Sequence, residues 1–274
     1  MKVLGGSSRA SVLTLRRALT DLVNTQSATA AATLANDLFI ILSSLTSSIG
    51  LRRALTDSAR DSAAKSELIS NLYGKNITAP TQALLAQAAS LRWSSPGEIA
   101  DAVENLAVEA ATAAAEKNNE LEKLENQLFD FARILKANPG LRQALNTSVD
   151  TDASKLSLLE ALVKGKYANS TVELLRRVIT RRGRSIDATL AAYSHYVAAR
   201  KDRLVAHVKS AVELSDAQLS KLLSALSKQM GREVYINLEI DPKVLGGMSI
   251  RYADDVIDGT IVNRLAEAGR ALVS

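Results

Sequence analysis

The sequence predicts a mainly α-helical protein, built as two consecutive helical bundles related by duplication and followed by a small α+β carboxyl domain. Three observations carry this expectation. Alanine- and leucine-rich stretches with apolar residues at helical spacing fill most of the chain. The same words recur without a gap 90 residues apart. Only past residue 230 does the pattern change to strict alternation interrupted by paired glycines.

The 274 residues, 47% of them hydrophobic, are too many for one comfortable core and enough for two or three domains with real interiors. Aromatic residues make up only 4%, so Leu, Ala, Ile and Val must fill those interiors. The expected divisions are residues 1–118 for the first bundle, 119–202 for the second and 203–274 for the carboxyl domain.

The duplication rests on residues that helix composition alone does not match. Leu51-Arg52-Arg53-Ala54-Leu55 lies on Leu141-Arg142-Gln143-Ala144-Leu145. Asn36, Leu38, Phe39, Leu45 and Gly50 fall on Asn126, Leu128, Phe129, Leu135 and Gly140. Further on, Lys65, Leu68, Leu72, Thr81, Leu84, Leu85 and Arg92 fall on Lys155, Leu158, Leu162, Thr171, Leu174, Leu175 and Arg182. Leu15 to Asp21 repeats the words of Leu51 to Asp57 outside this register, a coincidence of helix composition. Within each copy turn residues punctuate the helical pattern: around Gly50, Gly74 to Pro80 and Ser94 to Gly97 in the first. In the second they fall around Asn138-Pro139-Gly140, Lys164 to Ser170 and Arg182-Gly183-Arg184. Helices of roughly ten to twenty residues with short loops between them make a bundle.

In the carboxyl part, Leu204 to Ala211 reads as a short strand. Leu214-Ser215-Asp216-Ala217-Gln218 reads as a helix start, with Ser215 as N-cap and Gln218 closing a capping box. Leu219, Leu222, Leu223 and Leu226 form the apolar stripe of that helix. Val234, Ile236, Leu238 and Ile240 then alternate with Tyr235, Asn237 and Glu239, a strand with one buried face. Gly246 and Gly247 break it where positive backbone dihedrals exclude a side chain, and Met248, Ile250 and Tyr252 restart the alternation. Asp258-Gly259 is a turn, and Thr260 can cap a last helix carrying Ile261, Leu265, Ala268 and Leu272.

The run Asp241-Pro242-Lys243-Val244-Leu245-Gly246-Gly247, then Ile250, then Ile257-Asp258-Gly259-Thr260 and Arg264-Leu265, resembles the delta subunit of the F-type ATP synthase. The mitochondrial counterpart of that subunit is the oligomycin sensitivity conferral protein. That family carries Asp-x-x-Leu-Gly-Gly between two strands, a hairpin ending in Ile-Asp-Gly-Ser/Thr and a terminal helix opening near Arg-Leu. Ala253 stands where the family usually has Gly. The resemblance covers roughly the last 155 residues directly; the second copy would be the family's ordinary amino-terminal bundle, and the first an additional one. It implies a non-catalytic peripheral-stalk subunit, one copy per complex, at the cytoplasmic face of the cell membrane. Its helical bundle would hold the amino-terminal helices of the alpha subunits, and its carboxyl domain the end of the membrane-anchored b subunit.

Charge and chemistry are compatible with that role and poor in alternatives. A net charge of +5 and a pI near 9.4 raise the question of nucleic acid. Arg176, Arg177, Arg181, Arg182 and Arg184 form the densest basic run, but no base-stacking aromatics are interleaved with them. An acidic helix of a protein partner fits the cluster better. His195 and His207 are the only histidines and stand in different elements, which leaves little for a nucleophile–base pair or a metal set. Leu4-Gly5-Gly6 and Leu245-Gly246-Gly247 lack the spacing and the Lys-Ser/Thr of a phosphate loop, so no nucleotide or other cofactor is expected. Asp241, Asp254, Asp255 and Asp258 read as turn and cap residues rather than as a cation site. The absence of cysteine fits a reducing compartment. No stretch reads as an apolar span of the length a bilayer requires; Leu38 to Leu42 is a short core-like run, and the acid-free first seventeen residues read as a frayed tail. Membrane contact would then come only through partners. The competing expectation is a helical scaffold or adaptor, which explains the bundles but not the glycine-turn module.

Overall fold

The computed structural model describes residues 5–147, 151–202, 205–230, 234–241, 247–252 and 255–258. These divide into two compact units, Met1–Ala198 and Ala199–Ser274, so a helical body precedes a mixed one.

In the first unit the helices follow one another closely: α1 (Gly6–Thr25), α2 (Ala28–Ser47), α3 (Ile49–Thr56), α4 (Ser62–Tyr73), α5 (Ala79–Ser90), α6 (Glu98–Lys117), α7 (Leu121–Ala137), α8 (Pro139–Asn146), α9 (Asp152–Val163), α10 (Asn169–Thr180) and α11 (Ile186–Asp202). Far from being a frayed tail, the segment from Gly6 is helical and seats Leu15, Leu19 and Val23 in the core. The spacing of those three at four residues aligns them on one helix face. Side-chain caps set several starts: Ser27 Oγ accepts the Ala30 N–H, Ser48 Oγ the Leu51 N–H and Thr151 Oγ1 the Ser154 N–H.

The internal repetition is a matter of structure as well as of words. Ile49–Thr56, Ser62–Tyr73 and Ala79–Ser90 recur 90 residues later, with the same lengths, as Pro139–Asn146, Asp152–Val163 and Asn169–Thr180. One polar device recurs with them. Asp37 Oδ2 accepts from the Thr78 N–H at 2.8 Å and from the Thr81 hydroxyl at 2.9 Å, satisfying the free donors at the start of α5. At the matching place, Gln127 Oε1 accepts from the Ala168 N–H at 3.0 Å and the Thr171 hydroxyl at 2.7 Å. Asp37→Ala removes a buried carboxylate that accepts from the Thr78 N–H and from the buried Thr81 hydroxyl. We expect it to cost about 1–3 kcal/mol in denaturant unfolding, with Asp37→Gln recovering part of the loss; a silent Asp37→Ala would show that the device carries no weight.

Most breaks between helices fall where the turn residues suggested, at 74–78, 91–97, 164–168 and 181–185. Gly50 and Gly140 lie inside α3 and α8, and the chain turns two residues earlier, at Ser48 and Asn138. Further breaks fall at residues 57–61, before α4, and between α8 and α9. At α3 the Ser48 hydroxyl caps the helix, so there the cap rather than the glycine marks the boundary.

Helix α6 is the centre of this unit. Fourteen of its twenty residues are buried, on all sides rather than along one stripe, as befits a helix surrounded by others. It packs most extensively on α2 and also touches α1, α3, α7 and α10, so elements of both sequence copies use it. Alanines at Ala100, Ala102, Ala107, Ala110, Ala113, Ala114 and Ala115 keep its girth small where they are buried. Against expectation, α2 does meet the length and composition of a bilayer-crossing helix, with a mean hydropathy of 1.4. Its apolar residues are spread among Ala, Ser and Thr, which hides the total from inspection. Half of that window is buried within the protein, and Asp37 lies inside it.

The second unit contains β1 (Val205–Ser210), α12 (Asp216–Met230), β2 (Tyr235–Ile240), β3 (Met248–Tyr252) and β4 (Asp255–Asp258). They form a four-stranded sheet in the order β2-β1-β3-β4. β1 and β2 are parallel, with α12 as the crossover between them; β3 runs antiparallel to β1 and β4 to β3. The expected capping box is formed: Gln218 Oε1 accepts from the Ser215 N–H at 2.9 Å, and Ser215 Oγ from the Gln218 N–H at 3.4 Å. Ala206, Val208, Leu226, Val234 and Ile250 form the core, with Leu222, Ile236, Leu238 and Met248 packed against it. Alternation thus reads correctly along β2 until Ile240, which is 46% exposed, and Leu223 leaves the helix stripe at 40%. The expected last helix, with Ile261, Leu265, Ala268 and Leu272, and the Ala253 position lie outside the described residues.

Candidate functional site

Two sets of residues stand out from the sequence, one in each unit. In the sheet unit, the Asp241 N–H donates to the Ser210 carbonyl at 2.9 Å, extending the β1–β2 pairing one residue past the strand. Gly247 has φ +80°, the left-handed conformation expected of the glycine pair. Ile250 is buried in the core and pairs with Val208 and Ile257 on the two flanking strands. Asp258 ends β4 opposite Ser249. Leu245, Gly246, Gly259, Arg264 and Leu265 lie outside the described residues. The glycine segment does not close a hairpin between adjacent strands. β2 and β3 flank β1 on opposite sides, so this segment carries the chain from one edge of β1 to the other. Parallel pairing through α12 put β2 next to β1, and that consequence could not be seen from alternation alone. Periodicity alone did not give the fourth strand, because four residues are too few to establish a period; it is the return strand of the hairpin that the resemblance implied.

In the helical unit the five arginines do not form an open basic patch. Arg176 pairs with Glu160 at 2.7 Å, and Arg182, 83% exposed, approaches Asp152 at 3.5 Å. Arg177 lies over the Phe39 ring, 5.1 Å from its centroid. Arg181 is the most buried of the five and grips Glu104 with both ends of its guanidinium, at 2.8 and 2.9 Å. Arg184 reaches the same carboxylate at 3.7 Å and Asp101 at 3.8 Å. Gly183, at φ +79°, turns the chain so that Arg181 and Arg184 can face one carboxylate.

Glu104 is the hub that no sequence signal announced, beyond a carboxylate standing in an alanine-rich run. It is 2% exposed and also accepts from the Tyr193 hydroxyl at 3.2 Å. Nearby, Glu109 pairs with Arg16, and Arg16 sits 5.8 Å from the Tyr196 ring centroid. Charge is therefore matched in place: burial alone would lower the Arg181 pKa, but the hydrogen bond and charge of Glu104 raise it. Burial, reinforced by the Glu104 carboxylate, pushes the Tyr193 hydroxyl well above the ordinary phenol range. Burial likewise pushes Tyr196 up to about 12. Both tyrosines are held neutral, so their contribution to stability is complete below the unfolded pKa near 10. It is lost as pH rises through the folded value. For Tyr196 the window is roughly pH 10 to 12. We expect alkaline unfolding in that window to shift to higher pH in Tyr196→Phe, read by circular dichroism; an unchanged profile would refute the linkage.

Two clefts open beside this network. One of about 820 Å³ is lined by Asp101, Arg181, Arg184, His195 and Tyr196. The other, of about 550 Å³, is lined by Phe39, Asp152, Arg177, Arg182 and Tyr193. In the first cleft Arg181 and Arg184 face the Glu104 and Asp101 carboxylates; in the second Arg182 faces Asp152, while Arg177 lies over the Phe39 ring. His195 is exposed and meets Tyr196 edge-to-face, 6.0 Å between centroids. Among the described residues no group of three metal-ligating side chains converges.

The comparison with known proteins decides the assignment. The profile of the ATP synthase delta (OSCP) subunit family matches residues 108–272, from within α6 through the sheet unit. The chain belongs to this family. Its relatives extend the likeness across the first helical copy as well. It is 41% identical over 268 residues to the ATP synthase subunit delta of Kineococcus radiotolerans, covering 97% of each chain. It is 39% identical over 275 residues to that of Streptomyces coelicolor, covering 100% of both. The subunit delta of Thermobifida fusca is 39% identical over 268 residues, covering 97% of this chain and 98% of its own. As a delta-family chain it is a component of the membrane-associated ATP synthase complex, and its place is in ATP synthesis and ion transport.

Proposed function

We propose that this delta-family chain acts as a non-catalytic stator subunit of the peripheral stalk, on the cytoplasmic face of the membrane. It would link the catalytic head to the membrane-anchored b subunit. The observation that carries this reading is the extent of the family match, which takes in the second helical copy and the sheet unit together. In this reading the helices from α6 to α11 hold amino-terminal helices of the alpha subunits, and the sheet unit holds the end of b. A groove lined by leucine and alanine suits an amphipathic helix, whose apolar residues at helical spacing anchor it. Two attachments on one chain raise the effective concentration of the second contact, so moderate affinities give long-lived assembly.

The mechanical consequence is torque resistance. A head not tied to the stator turns with its rotor and dissipates the proton gradient. The first copy, residues 1–118, is proposed as an additional bundle that lengthens the stalk or adds a contact to b, with residues 119–202 as the ordinary bundle. The test is affinity capture of the tagged chain from native membranes. Alpha, beta and b subunits should accompany it, and its depletion should leave ATP hydrolysis while abolishing ATP-driven proton pumping. Capture without those subunits would return the scaffold reading; affinity for DNA or RNA that falls steeply with salt would favour nucleic acid.

A further inference from the structure

The two copies differ at one matched pair of positions in a way that identifies an unfilled contact. Phe39 on α2 is buried, at 6% exposure. Its ring is covered by elements of the second copy: Arg177 of α10 over the face at 5.1 Å, and Tyr193 of α11 with ring centroids 6.4 Å apart. Arg177 also donates to Asn36 Oδ1, one turn before Phe39, at 3.4 Å. Ninety residues on, Asn126 and Phe129 repeat this pair on α7, but Phe129 is 69% exposed. Among the described residues no third helical copy follows to cover it; past Asp202 the chain enters the sheet unit.

The covered copy shows the chemistry of the missing cover, and the surroundings of Phe129 sharpen it. A helical side chain leans over the turn preceding its own Cα, which for Phe129 carries Glu125 and Asn126, with Glu122 one turn further back. The matched residues before Phe39 are Ala32, Ala35 and Asn36. Ala32 and Ala35 line a cavity of about 310 Å³ together with Glu173, Leu174 and Arg177, whereas Glu122, at the matching place on α7, attracts positive charge. An aromatic face and an amide oxygen within one turn are groups that receive a guanidinium, through its π contact and its fork of donors.

We propose that the Asn126–Phe129 face of α7 is a docking site for an arginine-bearing helix of another subunit of the complex, the guanidinium lying over Phe129 as Arg177 lies over Phe39. This rests on the stator reading above. Since Phe129 is exposed, Phe129→Ala leaves the fold intact, with helicity and melting temperature unchanged. It weakens retention of the full-length chain on the purified ATP synthase by about five- to thirtyfold, the worth of a partly to fully desolvated cation–π contact. Phe129→Leu fails to restore it, and Glu122→Lys weakens it independently. A photoreactive benzoylphenylalanine at position 129 in the assembled enzyme cross-links to an arginine-containing peptide of a different subunit. Cross-links confined to residues 199–274 of the same chain or to a second copy of it, or none in an intact complex, would overturn the inference while leaving the stator reading standing. A wild-type chain absent from the complex would overturn both.

Discussion

Glu104→Ala is expected to lower the unfolding free energy of the helical unit by about 3–5 kcal/mol, because it leaves the buried Arg181 guanidinium without its counter-charge. Tyr193, 1% exposed, loses its hydroxyl acceptor at the same time. Denaturant unfolding followed by far-ultraviolet circular dichroism should show the midpoint falling with little change in slope, since the surface exposed on unfolding is the same. The double variant Glu104→Leu with Arg181→Met separates charge from packing. Removing both ions together should recover most of the loss, as replacement of a buried pair by apolar groups is often neutral or better. A Glu104→Ala loss below about 1 kcal/mol would mean that Arg181 swings out to water through the neighbouring clefts, and that the pair is ornamental.

The second large effect concerns where the chain can be cut. A fragment beginning at residue 119 discards α6, and with it the partner of Arg181 and the surface on which α7 and α10 rest. We expect such a fragment to lack cooperative unfolding of residues 121–198. A fragment beginning at residue 96 keeps α6 but bares the side that α1 and α2 cover. It should regain helicity and yet associate through the exposed apolar stripe, which gel filtration detects. If the fragment from 119 instead unfolds in one sharp transition as a monomer, residues 1–118 and 119–202 are separable domains and α6 is merely adjacent to the second. The family profile begins at residue 108, midway along α6, consistent with that helix serving the ordinary bundle too.

Much of this was readable from the residues, for reasons that differ by element. Long helices with leucines three and four apart declare themselves, and the copy register survived because Asn36, Phe39, Gly50 and their partners are uncommon residues in such sequence. The capping box at Ser215 was legible because both of its members are local. Parallel β1–β2 pairing, by contrast, depends on what lies between distant strands, and periodicity does not report on neighbours. The role of Glu104 depends on Arg181 and Tyr193 arriving from 77 and 89 residues away, and a lone glutamate among alanines carries no mark of that. The basic run was visible while its partners were not, since Glu160, Phe39, Glu104 and Asp152 come from α9, α2 and α6.

A helix of twenty residues spans about 30 Å with almost no give along its axis. Because α6 is buried on every side by members of both copies, a sideways load applied at α1 passes into α10 through a continuous rod rather than across a flexible joint. Whatever springiness the chain possesses then resides elsewhere than between its two helical repeats.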